Sequence, residues 1–266
     1  MVTKLNFFIV FLLTLLFFIF ESNKSVIKKP INKSDLTQTM KDFPNNNVET
    51  ILTNFNQKNS LIHNLTMQIT IRDNFRSLNS SVFYEKPQKI RMYTYSILGL
   101  EGDIGSNDNL FWFWSKRYQP SALFYSKHED IDKTRLKYQY KPNFLIDNLS
   151  VNQLNVENSS LFLSDNKLKI INKDKEFTIV KVLNIDKLCL ETLDINKNNK
   201  QIYSFTIEKY QKIYDDFYYP QIIKVKIYDE DLTCYWYLDK PVFNQIIDDK
   251  HWILPNIKPQ INLIDY

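Results

Sequence analysis

Histidine, cysteine and clustered acidic side chains are the groups that catalysis and metal binding most often need. The three histidines, His63, His128 and His251, are far apart in the sequence, and neither a nucleophile elbow nor an HExxH pattern is present. The acidic run that follows His128, ending at Asp132, is typical of a loop in contact with solvent. We therefore expect no enzymatic activity, no metal site and no cofactor.

The two cysteines, Cys189 and Cys234, lie in separate strand-like segments, without a CxxC pair or a histidine at ligand spacing. This excludes the zinc and redox motifs that depend on closely spaced cysteines. In an exported protein the two side chains could form one disulfide, but two buried free thiols agree with the sequence at least as well.

The aromatic segment Leu110–Trp114 is the best candidate for binding an apolar partner. Successive residues of a strand point to opposite faces, so Phe111 and Phe113 share one face, while Trp112 and Trp114 share the other. Both faces must therefore be covered by apolar material. Two interpretations remain open: one set of side chains lines a cavity, or all of them are ordinary core residues.

Composition excludes some functional classes and sets the scale of the fold. The 266 residues are 44% hydrophobic and 15% aromatic, enough for one large β domain or two small ones. Lys and Arg number 34 against 30 Asp and Glu, a net charge of +4 that is spread along the chain. A nucleic-acid-binding surface needs clustered basic residues, so we expect no nucleic-acid partner.

The N-terminus has the pattern of a segment for export. Lys4 precedes an apolar run, Phe7–Phe20, which is short for a membrane span and typical of a secretory signal. No small residues mark a cleavage site before Ser22, so residues 1–22 are either a signal peptide or a retained membrane anchor. A polar linker is predicted over 23–45, a domain over 46–258 and a C-terminal tail over 259–266.

The domain begins with a pattern of period 3.6 that then changes to period 2. Asn46 is a candidate N-cap with Glu49 three residues later, and the apolar stripe that follows predicts an amphipathic helix. From Asn64 to Arg72 apolar and polar residues alternate strictly, which predicts a strand with one face in water. A second, short helix is predicted over Pro142–Leu149, with Leu145 and Leu149 on one face.

Twelve strands are predicted in all, and their short connections favour antiparallel hairpins. So many strands should curl into a barrel or half-barrel rather than form one flat open sheet. The only glycines, Gly99, Gly102 and Gly105, are expected at bends or bulges of this sheet. The predicted strands are Asn64–Arg72, Ser80–Tyr84, Lys89–Ser96, Leu100–Gly105, Leu110–Ser115, Ala122–Tyr125, Lys167–Ile171, Phe177–Val182, Lys187–Leu193, Tyr203–Tyr210, Gln221–Tyr228 and Leu232–Leu238.

Short motifs in a fixed order resemble the LolA/LolB-like family of bacterial lipoprotein-localisation factors. The resemblance extends from about Val48 to Pro255. Its motifs are Tyr84-Glu85-Lys86-Pro87, Ile90-Arg91-Met92, Asp103-Ile104-Gly105-Ser106-Asn107, Leu110-Phe111-Trp112-Phe113-Trp114, Tyr219-Pro220, Val242-Phe243-Asn244 and Trp252-Ile253-Leu254-Pro255.

This resemblance implies a mainly β fold: a curved antiparallel sheet that forms an unclosed half-barrel covered by short helices. It also implies an apolar cavity that holds lipoprotein acyl chains or another lipid. Together with the N-terminal apolar segment, this predicts a membrane-associated protein of the periplasm or cell envelope, and we expect it to be a monomer. Residues expected in the cavity are Met92, Leu98, Phe111, Trp112, Phe113 and Trp114. Residues expected to contact a helical lid are Lys86, Arg91, Leu145 and Leu149.

The chain departs from this family in two respects. It has no N-terminal cysteine to accept a lipid, and the strand-like material between Ser150 and Lys200 has no counterpart in the motifs. Three hypotheses follow: a lipid- or lipoprotein-binding envelope protein, a membrane-tethered structural or interaction module with a filled cavity, and a hydrolase with an unrecognised site. Similarity of fold supports the first only by association.

Overall fold

Fourteen strands and two α-helices make up most of the residues that the computed structural model describes, which are 47–137, 140–174, 176–214 and 217–266. The predicted N-terminal segment 1–22, the linker 23–45 and Asn46 lie outside them. The helices are α1, Val48–Ser60, and α2, Pro142–Asp147. The strands are β1 Asn64–Arg72, β2 Ser77–Glu85, β3 Lys89–Ser96, β4 Gly99–Ser106, β5 Leu110–Ser115, β6 Leu123–Lys127, β7 Ser159–Ser164, β8 Lys167–Asp174, β9 Phe177–Asn184, β10 Cys189–Lys197, β11 Lys200–Tyr214, β12 Phe217–Ile227, β13 Leu232–Phe243 and β14 Gln260–Asn262.

The strands hydrogen-bond in the order β14-β6-β5-β4-β3-β2-β1-β13-β12-β11-β10-β9-β8-β7, so the sheet is not closed into a barrel. Consecutive strands pair antiparallel from β1 to β6 and from β7 to β13, as short hairpins require, and β14 pairs parallel with β6. The predicted fold class, mainly β with an unclosed half-barrel and a few helices, is confirmed. Among the described residues, no helix combines the length and the apolar character that a membrane crossing requires.

The chain divides into two compact units. The described part of unit 1 is His63–Ile146 with Leu238–Tyr266, and that of unit 2 is residues 47–62 with Asp147–Tyr237. The segment predicted as a domain over 46–258 includes parts of both units. The strand-like material between Ser150 and Lys200 contributes strands β7–β10 to unit 2.

In unit 2, helix α1 is amphipathic but buries polar as well as apolar side chains. Ile51 and Phe55 are 3% exposed, as the apolar stripe predicted, and Lys58 is only 5% exposed. The Lys58 ammonium donates to the carbonyl oxygens of Leu188 at 2.8 Å and Tyr218 at 3.2 Å. It lies 3.0 Å from the Cys189 thiol and 4.8 Å from the Phe217 ring centroid. These dipoles and this ring replace the water that a buried ammonium loses.

The N-cap of α1 is Asn47 and not the predicted Asn46. The Asn47 side chain accepts a hydrogen bond from the Thr50 amide at 2.7 Å. Consecutive asparagines are equally good caps, and the sequence pattern does not distinguish them. With the cap at Asn47, Glu49 is one residue short of the capping-box position, and its charge lies instead in the first helical turn, where the helix dipole favours it.

Helix α2 ends at Asp147, two residues before the predicted end. Ser150 has a φ of 56° and donates its amide to the Asp147 carbonyl at 3.0 Å, which terminates the helix. Leu149 therefore lies outside the helix, where its carbonyl accepts a hydrogen bond from the Tyr219 hydroxyl at 2.7 Å. The side chains that α2 buries are Pro142, Phe144 and Ile146.

Both cysteines are free thiols and both are buried, which agrees with one of the two alternatives left open. Within the predicted tail over 259–266, Gln260–Asn262 form β14 beside β6. A three-residue strand with one alternation is too short for a period-2 pattern to reveal.

Candidate functional site: the two faces of the β2–β6 sheet

The register of unit 1 places one apolar residue from each of its seven strands in a continuous line. Directly paired residues of neighbouring strands share a face, and the chain of pairings runs from β1 to β14 without a break. At about 4.8 Å between strands, the line is about 29 Å long. We call it the apolar row; its members are Met67, Val82, Met92, Ile104, Phe113, Phe124 and Ile261.

The apolar row is best packed at its aromatic end. The rings of Phe113 and Phe124 stack with centroids 5.2 Å apart, and Phe111 lies 6.2 Å from Phe113 on the same face. Tyr118 and Tyr266 meet Phe124 edge-on, each at 5.1 Å, and join through a hydroxyl–hydroxyl hydrogen bond of 2.6 Å. Burial and the hydrogen bond with Tyr266 raise the pKa of Tyr118, so the Tyr118 hydroxyl stays protonated at physiological pH.

The exposure of the row changes along its length. Val82, Phe113 and Phe124 are each at most 2% exposed, whereas Met92 and Ile261 are half-buried. Met92 is thus the accessible member near the middle of the row. Its unbranched thioether chain adapts to irregular apolar partners better than a branched or aromatic side chain does.

The opposite face of the same strands carries a buried ion pair. The Arg91 guanidinium bonds to the Asp103 carboxylate at 2.5 Å, and their side chains are 4% and 3% exposed. Burial raises the pKa of Asp103 above its ordinary value, and the adjacent positive charge and hydrogen bonds of Arg91 oppose that shift. Arg91 also donates to the backbone carbonyls of His251 at 3.3 Å and Ile253 at 2.8 Å. It therefore fastens the C-terminal segment to the sheet.

Gly105 allows Arg91 and Trp112 to meet across β4. It pairs with Arg91 on β3 and with Trp112 on β5, so all three lie side by side on one face. A Cβ atom at Gly105 would come within 2.3 Å of the Trp112 ring. The guanidinium carbon of Arg91 lies 4.9 Å from the Trp112 ring centroid, a cation–π contact made where Gly105 has no side chain. Gly105 thus makes room for the Trp112 ring instead of forming a bend in the strand.

His251 completes this opposite face. Its ring stacks on Phe83 with centroids 3.8 Å apart and meets Tyr93 at 5.8 Å. Burial lowers the pKa of His251, and the nearby positive charges of Lys250 and Arg91 lower it further, while Asp248 raises it. The neutral ring is therefore the form that the fold favours.

The predicted cavity residues separate into three groups. Met92 and Phe113 belong to the apolar row, and Phe111 shares its face. Trp112 and Trp114 point to the Arg91 face, where the Trp114 indole donates to the Ser121 hydroxyl at 3.3 Å. Leu98 lies in the β3–β4 turn and is 66% exposed.

The residues predicted to contact a lid also lie apart from one another. The described hydrogen bonds of the Arg91 side chain go to Asp103 and to two carbonyls of the C-terminal segment, and not to α1 or α2; one of these carbonyls, that of His251, belongs to the short 3₁₀ helix Asp249–Trp252. Lys86 lies in the β2–β3 turn, where its amide donates to the His63 carbonyl and partial burial lowers its side-chain pKa. Leu145 is a half-buried residue of α2, and Leu149 lies beyond that helix.

Sequence reasoning missed several members of the apolar row and the acidic partner of Arg91. The sequence already shows four of these members as alternating apolar positions of neighbouring predicted strands: Met67, Val82, Ile104 and Phe124. Pairing those strands as hairpins would have aligned them. Asp103 belongs to the motif Asp103-Ile104-Gly105-Ser106-Asn107, and the same hairpin alignment places its strand, β4, beside the strand of Arg91, β3.

The fold has counterparts among solved structures. A putative outer membrane lipoprotein-sorting protein domain from Vibrio parahaemolyticus superposes with a TM-score of 0.51 at 9% sequence identity, covering 77% of this chain and 97% of that one. The two chains share a fold. The resemblance found in the sequence motifs is thus confirmed at the level of architecture.

Two further solved structures overlap over a similar share of the chain. A DUF1329 family protein from Desulfovibrio piger gives a TM-score of 0.49 at 11% identity, with coverage of 76% and 94%. A LolA superfamily protein from Nitrosomonas europaea gives a TM-score of 0.48 at 9% sequence identity, covering 77% of this chain and 97% of that one. No protein-family model matches the chain, and no curated protein matches it.

Gly105→Ala should destabilise the protein by about 1–3 kcal/mol, because the added methyl group overlaps a buried indole. Chemical denaturation monitored by circular dichroism measures this free energy of unfolding. In a Trp112→Leu background the ring is gone, so Gly105→Ala should cost much less. An equal cost in both backgrounds would contradict the account of Gly105.

His251 should make stability depend on pH. Because its pKa is lowered in the folded state, the unfolded state binds the proton more readily. The free energy of unfolding should therefore fall as the pH drops below the ordinary histidine value of about 6.5. Denaturation measured between pH 8 and pH 5 should show a smaller loss of unfolding free energy for His251→Phe than for the native protein. This variant keeps a ring beside Phe83. Identical pH profiles for the two proteins would refute this role.

Proposed function

We propose that the chain is an exported cell-envelope protein that binds lipid, or the acyl chains of lipoproteins, along the apolar row of unit 1. The observation that carries the proposal is the row itself: seven apolar side chains, one from each strand, aligned across one face over about 29 Å. A face of this kind suits a long, unbranched, apolar ligand. It offers no pattern of polar groups that would fix a compact substrate.

The energetics favour such a ligand. Each methylene group moved from water to an apolar surface contributes about 0.8 kcal/mol, so a long acyl chain gains affinity along its whole length. The row is largely buried in the folded chain. An acyl chain must therefore displace covering residues, and the half-buried Met92 is the position from which we expect it to enter.

The shared fold adds support of a different kind. The matched Vibrio parahaemolyticus domain is described as an outer membrane lipoprotein-sorting protein. That description, together with the N-terminal segment 1–22, supports a location in the periplasm or at the envelope, either released or retained by an N-terminal anchor. We propose no catalytic role for the chain.

A second candidate function has an observation in its favour. Val82, Phe113 and Phe124 are as buried as ordinary core residues, which suits a membrane-tethered structural or interaction module whose concave face is filled by its own side chains. The two functions differ in whether the row ever opens to a ligand.

Calorimetric titration of the full chain with a diacylated peptide distinguishes these functions. Saturable binding that the unacylated peptide lacks is expected, and Met92→Gln should weaken it about tenfold, because a polar group then lies on the apolar row. Tyr95→Gln is the matched control, since Tyr95 is on the same strand, 40% exposed and next to the Tyr93 ring on the other face, with centroids 6.4 Å apart. Absence of binding by a correctly folded protein would favour the filled module.

A further inference from the structure

The two edges of the sheet differ in how they are protected. At one edge, β14 has only three residues and follows Pro259, both of which discourage pairing with another strand. At the other edge, β7 has six residues, Ser159–Ser164, and none of them is charged or proline. Among the described residues β7 pairs only with β8, so its outer row of backbone N–H and C=O groups faces outward.

Strand β7 also presents apolar side chains to solvent. Phe162 is 54% exposed and Leu163 is 42% exposed. The register with β8 places Leu161 opposite Ile170 and Leu163 opposite Leu168, so these two leucines extend the buried face of unit 2 to its rim. Phe162 lies on the other face, opposite Lys169. A long, uncharged edge with exposed apolar residues is the kind that pairs with another strand.

The sequence of this edge indicates which strand it pairs with. Residues 160–164 read Ser-Leu-Phe-Leu-Ser, the same in both directions. When a strand pairs antiparallel with its own copy about a two-fold axis, the residues of one copy meet those of the other in reverse order. With the axis at Phe162, that residue meets itself, each Leu161 meets a Leu163, and each Ser160 meets a Ser164.

We propose that two copies of this chain associate through antiparallel pairing of their β7 strands, centred on Phe162. In this arrangement every contact within residues 160–164 is between like residues: the leucines continue the apolar face, and the two Phe162 rings meet on the opposite face. At each end, Ser159 lies opposite the exposed Asp165, so no charge is buried. The interface is isologous and therefore closes as a dimer instead of propagating as a fibre. The proposal replaces the expectation of a monomer and goes beyond the proposed lipid binding, on which it does not depend.

A register-specific crosslink tests the pairing in the full chain. Phe162→Cys places a thiol directly opposite its own copy, where cross-strand Cβ atoms are about 4.5–5.5 Å apart. This is close to the separation of about 3.5–4.5 Å that a disulfide needs, so mild oxidation should yield a covalent dimer. Ser160→Cys alone should not crosslink, because the two copies of residue 160 are four residues apart along the strands, or about 13 Å. A mixture of Ser160→Cys and Ser164→Cys chains should form the crosslinked heterodimer.

The native cysteines do not compete with this reaction, since Cys189 and Cys234 are buried. Equal crosslinking of Ser160→Cys and Phe162→Cys chains would show non-specific contact and overturn the pairing. So would a failure of Phe162→Cys to crosslink while circular dichroism shows a folded protein.

Sedimentation of the chain without crosslinks gives an independent measurement. A single strand pair is a small interface, so the dimer should form with rising concentration rather than be permanent. Phe162→Lys brings two like charges together at the axis and should raise the dimer dissociation constant at least about tenfold. Phe75→Lys is the control, because Phe75 is 87% exposed in the β1–β2 turn and is not part of β7. A monomer at all concentrations would contradict the proposal.

Discussion

An open antiparallel sheet with period-two alternation has one apolar face that water must not reach, and the structure depends on this constraint. In unit 1 the alternation stays in register from β1 through β6 to β14, so single apolar positions of seven strands join into one continuous row. A slip of one residue at any hairpin would move that strand's apolar residues to the other face. The same alignment that stabilises the core therefore also produces the surface on which a lipid would lie.

The opposite face is held by a buried ion pair together with aromatic packing. Arg91 is buried, but it has the Asp103 carboxylate, two backbone carbonyls and the Trp112 ring around it. In unit 2, Lys58 is solvated in a similar way by carbonyl groups and an aromatic ring. Removing any single partner would leave a buried charge partly unsatisfied, which costs more than the pair itself contributes. These contacts fix the C-terminal segment and α1 in place.

The sequence predicted the strands with strong alternation and missed the ones without it. Asn64–Arg72, Lys89–Ser96 and Leu110–Ser115 are found with the predicted bounds, because each alternates clearly or is bounded by turn residues. Strand β7 was missed, since its apolar residues are consecutive, and β14 is too short to show a period. The apolar row was only partly predicted, because membership depends on register between strands, which single-strand patterns do not contain.

The central claim is that acyl chains lie along the apolar row. The most direct measurement is photocrosslinking of the full chain with a lipid that carries a diazirine in its acyl chain, followed by mapping of the modified residues. The account predicts labels at Met92 and at its row neighbours Ile104 and Phe113. Two results would contradict this claim. One is labelling confined to the Arg91 face, for example at Tyr95 or Trp114; the other is no labelling above that of a protein without lipid affinity.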